Sequence, residues 1–151
     1  MTIEAPLSRY KKQNLLIAIA VMVGLGVWFY YDGHYQTSFI EKHTVDGKPD
    51  STLMFNQKSP PFFILGAVLV GVYFFSVRNK KVVADESGLK ASGKTVEYGA
   101  IEKINKTYFD SKGFFVVTYK DPQGRSCDLK LSDRTYDNLP AVLDHLIAKI
   151  S

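Results

Sequence analysis

Two stretches of this chain are hydrophobic around their whole circumference. Residues 14–31 read NLLIAIAVMVGLGVWFYY and residues 60–77 read PPFFILGAVLVGVYFFSV. As helices, 18 residues each would span about 27 Å, close to the hydrocarbon thickness of a bilayer. Neither run carries the polar stripe of a soluble amphipathic helix. In lipid the backbone must satisfy its own hydrogen bonds, so both runs are predicted to be membrane-spanning helices. A buried soluble helix is the rival reading of either run. For the first, a signal peptide is a further rival. Residues 28–32, WFYYD, lack a small-x-small cleavage site, so a retained anchor is expected.

From residue 78 onward the pattern changes to short alternating segments. Strands are predicted over 82–84, 88–91, 95–98, 100–109, 114–120 and 125–131, separated by glycine-, proline- and aspartate-containing turns. In the last of these, Cys127, Leu129 and Leu131 alternate with Asp128 and Lys130. The chain then closes with a helix, in which Leu139, Val142, Leu143, Leu146, Ile147 and Ile150 form one apolar stripe. Pro140 suits its first turn, and Asp137 or Asn138 is its expected cap. Between the apolar runs, residues 32–59 place Phe39-Ile40 and Leu53-Met54-Phe55 around an Asp46-Gly47 turn, which predicts a small β-hairpin. Five segments follow: an N-terminal tail (1–13), a first span (14–31), a loop (32–59), a second span (60–77) and a C-terminal domain (78–151).

Composition changes this picture only through its distribution. Apolar residues make up 46% and charged residues 23% of the 151, ordinary values for a globular protein, but the charges avoid the two runs. Arg9, Lys11 and Lys12 precede the first run, and Arg78, Lys80 and Lys81 follow the second. The loop between carries Lys42, Lys48 and Lys58 over a longer stretch. The positive-inside rule then puts both termini in the cytoplasm and the loop outside, in a multi-pass membrane protein. Small residues recur four apart at Ala20 and Gly24, and at Ala67 and Gly71, where helices could approach closely; ordinary transmembrane composition explains them as well. The spans hold no charge and no histidine, which argues against an ion path or proton relay within this chain.

Signs of catalysis are absent. The single cysteine, Cys127, excludes an internal disulfide framework and a cysteine-cluster metal site. It reads as a small core residue. His34 and His43 match no metal-ligand spacing and read as surface residues. His145 and Asp144 are adjacent on a helix and point apart, and His145 reads as a solvated flank of the apolar stripe. No phosphate-binding glycine loop or nucleophile elbow occurs, and no dense basic patch suggests nucleic acid. No enzyme activity and no cofactor are expected.

The pattern Asp85-x-x-Gly88-Leu89-x-x-x-Gly93-x-x-Val96-x-Tyr98-x-x-Ile101-x-x-Ile104 resembles the bacterial pleckstrin-homology-like domains. Tyr98 stands where that pattern more often has tryptophan. The resemblance implies a membrane α-helical hairpin joined to an α+β domain, an antiparallel seven-stranded barrel or sandwich capped by a C-terminal amphipathic helix. Six strands are evident, and the run 100–109 breaking near Asn105 is the expected source of a seventh. The resemblance implies a scaffold or interaction module without catalytic residues. The expected role is an accessory subunit docking on a larger membrane protein complex or on itself, with Ala20, Gly24, Ala67 and Gly71 as helix-packing positions. The alternative is a sensing module for anionic lipid headgroups or a peptide, with Arg78, Lys80 and Lys81, and also Lys94 or Arg125, as contacts.

Overall fold

A computed structural model describes all 151 residues. The fold is mixed α+β, with two long apolar helices and antiparallel sheets. The chain divides into two compact units. One holds residues 1–12 and 77–151, the other residues 13–76.

The first unit contains β4 (Lys81–Ala84), β5 (Leu89–Ala91), β6 (Lys94–Val96), β7 (Ile101–Asn105), β8 (Phe114–Lys120), β9 (Ser126–Ser132) and the closing helix α6 (Leu139–Ile150). A seventh strand does exist, but it comes from the opposite end of the chain. The segment after Asn105 forms a short helix, α5 (Phe109–Lys112), and no strand. The additional strand is β1 (Ile3–Pro6), ahead of the first apolar helix. It pairs antiparallel with β4, with Ala5 opposite Val82 and Pro6 opposite Lys81. The N-terminal segment is therefore not a free tail. One sheet runs β1-β4-β5-β6 and the other β7-β8-β9, with no closed barrel.

Local chemistry accounts for the turns. The β5–β6 loop is the pair Ser92-Gly93, both at positive φ (52° and 75°), the backbone a two-residue hairpin requires. Gly88 is at φ 149°, and a Cβ there would stand 2.4 Å from the Val96 carbonyl oxygen. Only glycine admits that approach.

Both sheets and α6 bury their apolar faces in one core. Ala5, Val82, Ala84 and Leu89 meet Phe115, Val117 and Leu131, with Leu139, Val142 and Leu146 laid across from α6. Of the helical stripe read from the sequence, Leu139, Val142, Leu143 and Leu146 form the buried face of α6, Ile147 is partly buried and Ile150 is exposed. Its capping differs from expectation. Asn138 makes no side-chain cap, and its amide instead donates to the Glu4 carbonyl at 3.0 Å. Asp137 accepts from the Arg9 backbone N–H at 3.0 Å. It thus serves the start of the first apolar helix, α1 (Arg9–His34), beside Ser8, whose buried hydroxyl accepts from the Lys11 N–H at 3.1 Å. The outer edge of β1 is thereby closed by the segment leading into α6, with Leu7 bridged to Tyr136.

The second unit contains most of α1 and of α4 (Pro60–Val77), both long and apolar enough to cross a membrane. The connection between them is mostly helical. Helices α2 (Thr37–Lys42) and α3 (Ser51–Lys58) flank a minimal hairpin of β2 (Thr44–Val45) and β3 (Lys48–Pro49). The Asp46-Gly47 turn is present, both residues at positive φ, but the ladder is two residues long on each side. The flanks expected as strands, Phe39-Ile40 and Leu53-Met54-Phe55, are helical. Asp50 explains the second flank: its carboxylate accepts from the Leu53 N–H at 2.8 Å and caps α3. That bond, together with His43, holds the Asp50 carboxyl below its usual value.

Candidate functional site

The four small residues expected to pack helices divide. Ala67 is buried. Ala20 is exposed, and a Cβ on Gly24 or Gly71 would meet nothing within 4 Å. The close approaches lie elsewhere in the same unit. A Cβ on Gly26 would come within 3.2 Å of Ile64, one on Gly66 within 3.2 Å of the Met22 sulfur, and one on Gly33 within 2.9 Å of the Asn56 backbone. The Gln57 amide donates to the Gly33 carbonyl at 3.1 Å. Phe29 fills the remaining gap, edge-on to Phe55 and tilted against Phe63, both at 5.4 Å between ring centres. Gly26 and Gly66 have no small residue four positions away within these runs, so four-residue spacing could not mark them. Flanking α1 and α4 is an open apolar groove of about 670 Å³, with Tyr30, His34 and Gln57 among its lining residues.

The basic residues after α4 are not equivalent. Arg78 and Lys80 are exposed. Lys81 donates to the Glu4 carboxylate at 2.6 Å across the β1–β4 ladder. It is thus already engaged by an acidic partner. Lys94 and Arg125, distant in sequence, line one cleft of about 500 Å³ with Tyr119, Asp121 and Cys127. Asp121 occupies its floor and is only 13% exposed. Its oxygens accept from the backbone N–H groups of Gln123 and Arg125 and from the Arg125 guanidinium at 3.1 Å. The carboxylate organises the β8–β9 turn and pairs with the Arg125 guanidinium. The Cys127 thiol lies 3.9 Å from the same carboxylate.

A polar knot joins the β4–β5 turn to the start of the second sheet. Asp85 accepts from the Ser87 N–H and hydroxyl and from Lys90 at 2.6 Å, which together hold its carboxyl well below the usual range. The Tyr98 hydroxyl donates to the Asp85 backbone carbonyl. Burial, and secondarily the Asp85 charge, push the Tyr98 hydroxyl pKa up. Against Tyr98, at 6.1 Å between ring centres, lies His145. It is half-buried and not solvated as expected, with Nε2 buried and unpartnered. No three His, Cys, Asp or Glu side chains converge as a metal site would require. Comparison with protein-family models, curated proteins and solved structures finds no match.

Proposed function

We propose that the chain is a non-enzymatic accessory or scaffold protein of a bacterial-type inner membrane. α1 and α4 form an anchoring hairpin. The β-rich unit is a pleckstrin-homology-like module that docks on a larger membrane complex. One observation carries the anchoring part. β1 precedes α1, β4 follows α4, and the two strands are paired neighbours in one sheet. A chain that crosses a membrane between them must return before the sheet can close, so two crossings satisfy the pairing and one does not. A cleaved signal peptide would remove β1 and leave the β4 edge bare. The positive flanks of both helices support a cytoplasmic β-rich unit.

The module reading is supported by seven strands in two antiparallel sheets, closed by an amphipathic helix. The docking role is supported by the way the unit uses its polar side chains. Asp85, Tyr98, Asp121, Asp137 and Ser8 are all taken up in fixing turns, caps and edges.

Two measurements test the reading. In a Cys127→Ser background, Thr2→Cys and Ser151→Cys should be labelled from the same side of the membrane and Asp46→Cys from the other. Labelling of all three from one side overturns the hairpin. Purification of the full chain from its native membrane in mild detergent should return a reproducible large assembly. The cleft shared by Lys94 and Arg125 favours one rival, an anionic headgroup sensor. That rival expects inorganic phosphate to raise the unfolding temperature of the full chain, and Lys94→Ala to abolish the effect.

A further inference from the structure

We infer that β9 is a self-pairing edge through which two copies of this chain join their three-stranded sheets. The inference goes beyond the docking role above and does not depend on it. Of the four sheet edges in the β-rich unit, β1 is closed by the segment before α6, β6 has three residues, and β7 is interrupted by an irregularity between Ile101 and Lys103. β9 is seven residues long, regular throughout, and paired only with β8. Long regular edges are the ones that recruit another strand.

The ladder fixes which backbone groups face outward. At one end the Asp121 N–H donates to the Arg125 carbonyl at 2.9 Å, and at the other the Asp133 N–H donates to the Gly113 carbonyl at 2.8 Å. Odd-numbered residues of β9 therefore bond to β8. Ser126, Asp128 and Lys130 direct their N–H and C=O groups away from it. The Ser132 carbonyl is already taken by Thr135 and Tyr136, which ends the free edge there.

The sequence of this edge, SCDLKLS, is self-complementary when run antiparallel about Leu129. Asp128 then stands opposite Lys130 of the second copy, and Lys130 opposite its Asp128, both as hydrogen-bonded pairs. Leu129 meets the second Leu129 as the non-hydrogen-bonded pair at the axis. The register that matches the outward backbone groups is thus also the register that matches the charges. A one-residue slip would lose both. Asp128 accepts from Thr118 at 2.6 Å and Lys130 lies over the Phe114 ring at 4.0 Å, so both charges are already held on the outer face of the sheet. On the inner face, Cys127 and Leu129 are only partly buried against the core, and a second β9 would cover what remains.

The test uses the full chain in detergent and in its membrane. With Cys127→Ser in place, Leu129→Cys should cross-link two chains on mild oxidation. The axial pair is separated by about 4.5 Å between Cα atoms, within disulfide reach of about 4.4–6.8 Å. Asp128→Cys, which faces Lys130, should not. A folded Leu129→Cys variant that stays uncross-linked, or equal cross-linking at both positions, overturns the inference. Charge exchange gives a second reading without touching the core. Lys130→Asp should weaken dimerisation about tenfold through its two symmetric like-charge pairs. Combining it with Asp128→Lys should restore the dimer. Equal weakening by the single and double variants also overturns it.

Discussion

The Lys81 ammonium donates to the Glu4 carboxylate at 2.6 Å, although 77 positions of sequence separate them. Both apolar helices lie within that interval. The ion pair itself is half exposed and contributes little, about 0.2–1 kcal/mol. Its neighbour matters more. Ala5, fully buried opposite Val82, carries the strand into the core. Ala5→Asp should cost more than about 3 kcal/mol by burying an unpaired carboxylate, whereas Glu4→Ala should cost less than about 1 kcal/mol. Denaturant unfolding of the purified chain separates the two. Equal effects would mean that β1 is not part of the folded unit.

Tyr98 should matter through its hydroxyl as well as its ring. Tyr98→Phe removes the bond to the Asp85 carbonyl and should destabilise by about 1 kcal/mol. The folded pKa of this hydroxyl is raised, so the neutral form belongs to the folded state. Its contribution is complete below the unfolded value of about 10 and declines as pH rises beyond it. Unfolding temperature followed from pH 8 to 11 should therefore fall less steeply in Tyr98→Phe than in the parent.

The acid limb should depend on Asp85. Its carboxyl is held low by Lys90 and Ser87, so its stabilising effect is present above the unfolded pKa and is lost as pH falls toward the depressed folded value. Asp85→Asn should flatten the loss of thermal stability between pH 5 and 2. An unchanged acid limb would show that the turn forms without the charge.

Glycines in α1 should fall into two classes. Gly33→Leu forces a side chain into the Asn56 backbone and should disrupt the packing of α1 on α3. Gly24→Ala meets open space and should be neutral or mildly stabilising, since glycine is the poorer helix former. Protease resistance of the 13–76 unit in detergent distinguishes these outcomes.

The apolar helices and the six C-terminal strands are legible because their signals are local. Periodicity, turn pairs and unbroken hydrophobicity all act within a few residues. β1 is not legible in this way. Ile3-Glu4-Ala5-Pro6 is a four-residue segment containing proline, and only a partner beyond the second helix makes it a strand. The loop misleads for the opposite reason. Asp46-Gly47 is a strong local hairpin signal and does form the turn, but Asp50 caps a helix three residues later and ends the ladder. His145 and Asp137 show the same limit. Their places on and just before the closing helix are evident, while the Tyr98 ring and the Arg9 N–H that they meet come from elsewhere in the chain.

The order of synthesis gives the β1–β4 pairing another meaning. β1 leaves the ribosome first and has no partner until both apolar helices have been made. In the anchored reading, a chain threaded only once through the bilayer would strand β1 on one face and β4 on the other. Its sheet would stay open, with the Val82 and Ala84 edge bare to aggregation or proteolysis. In that reading, closure of one short strand would proofread insertion, so that only correctly threaded molecules would complete a folded domain.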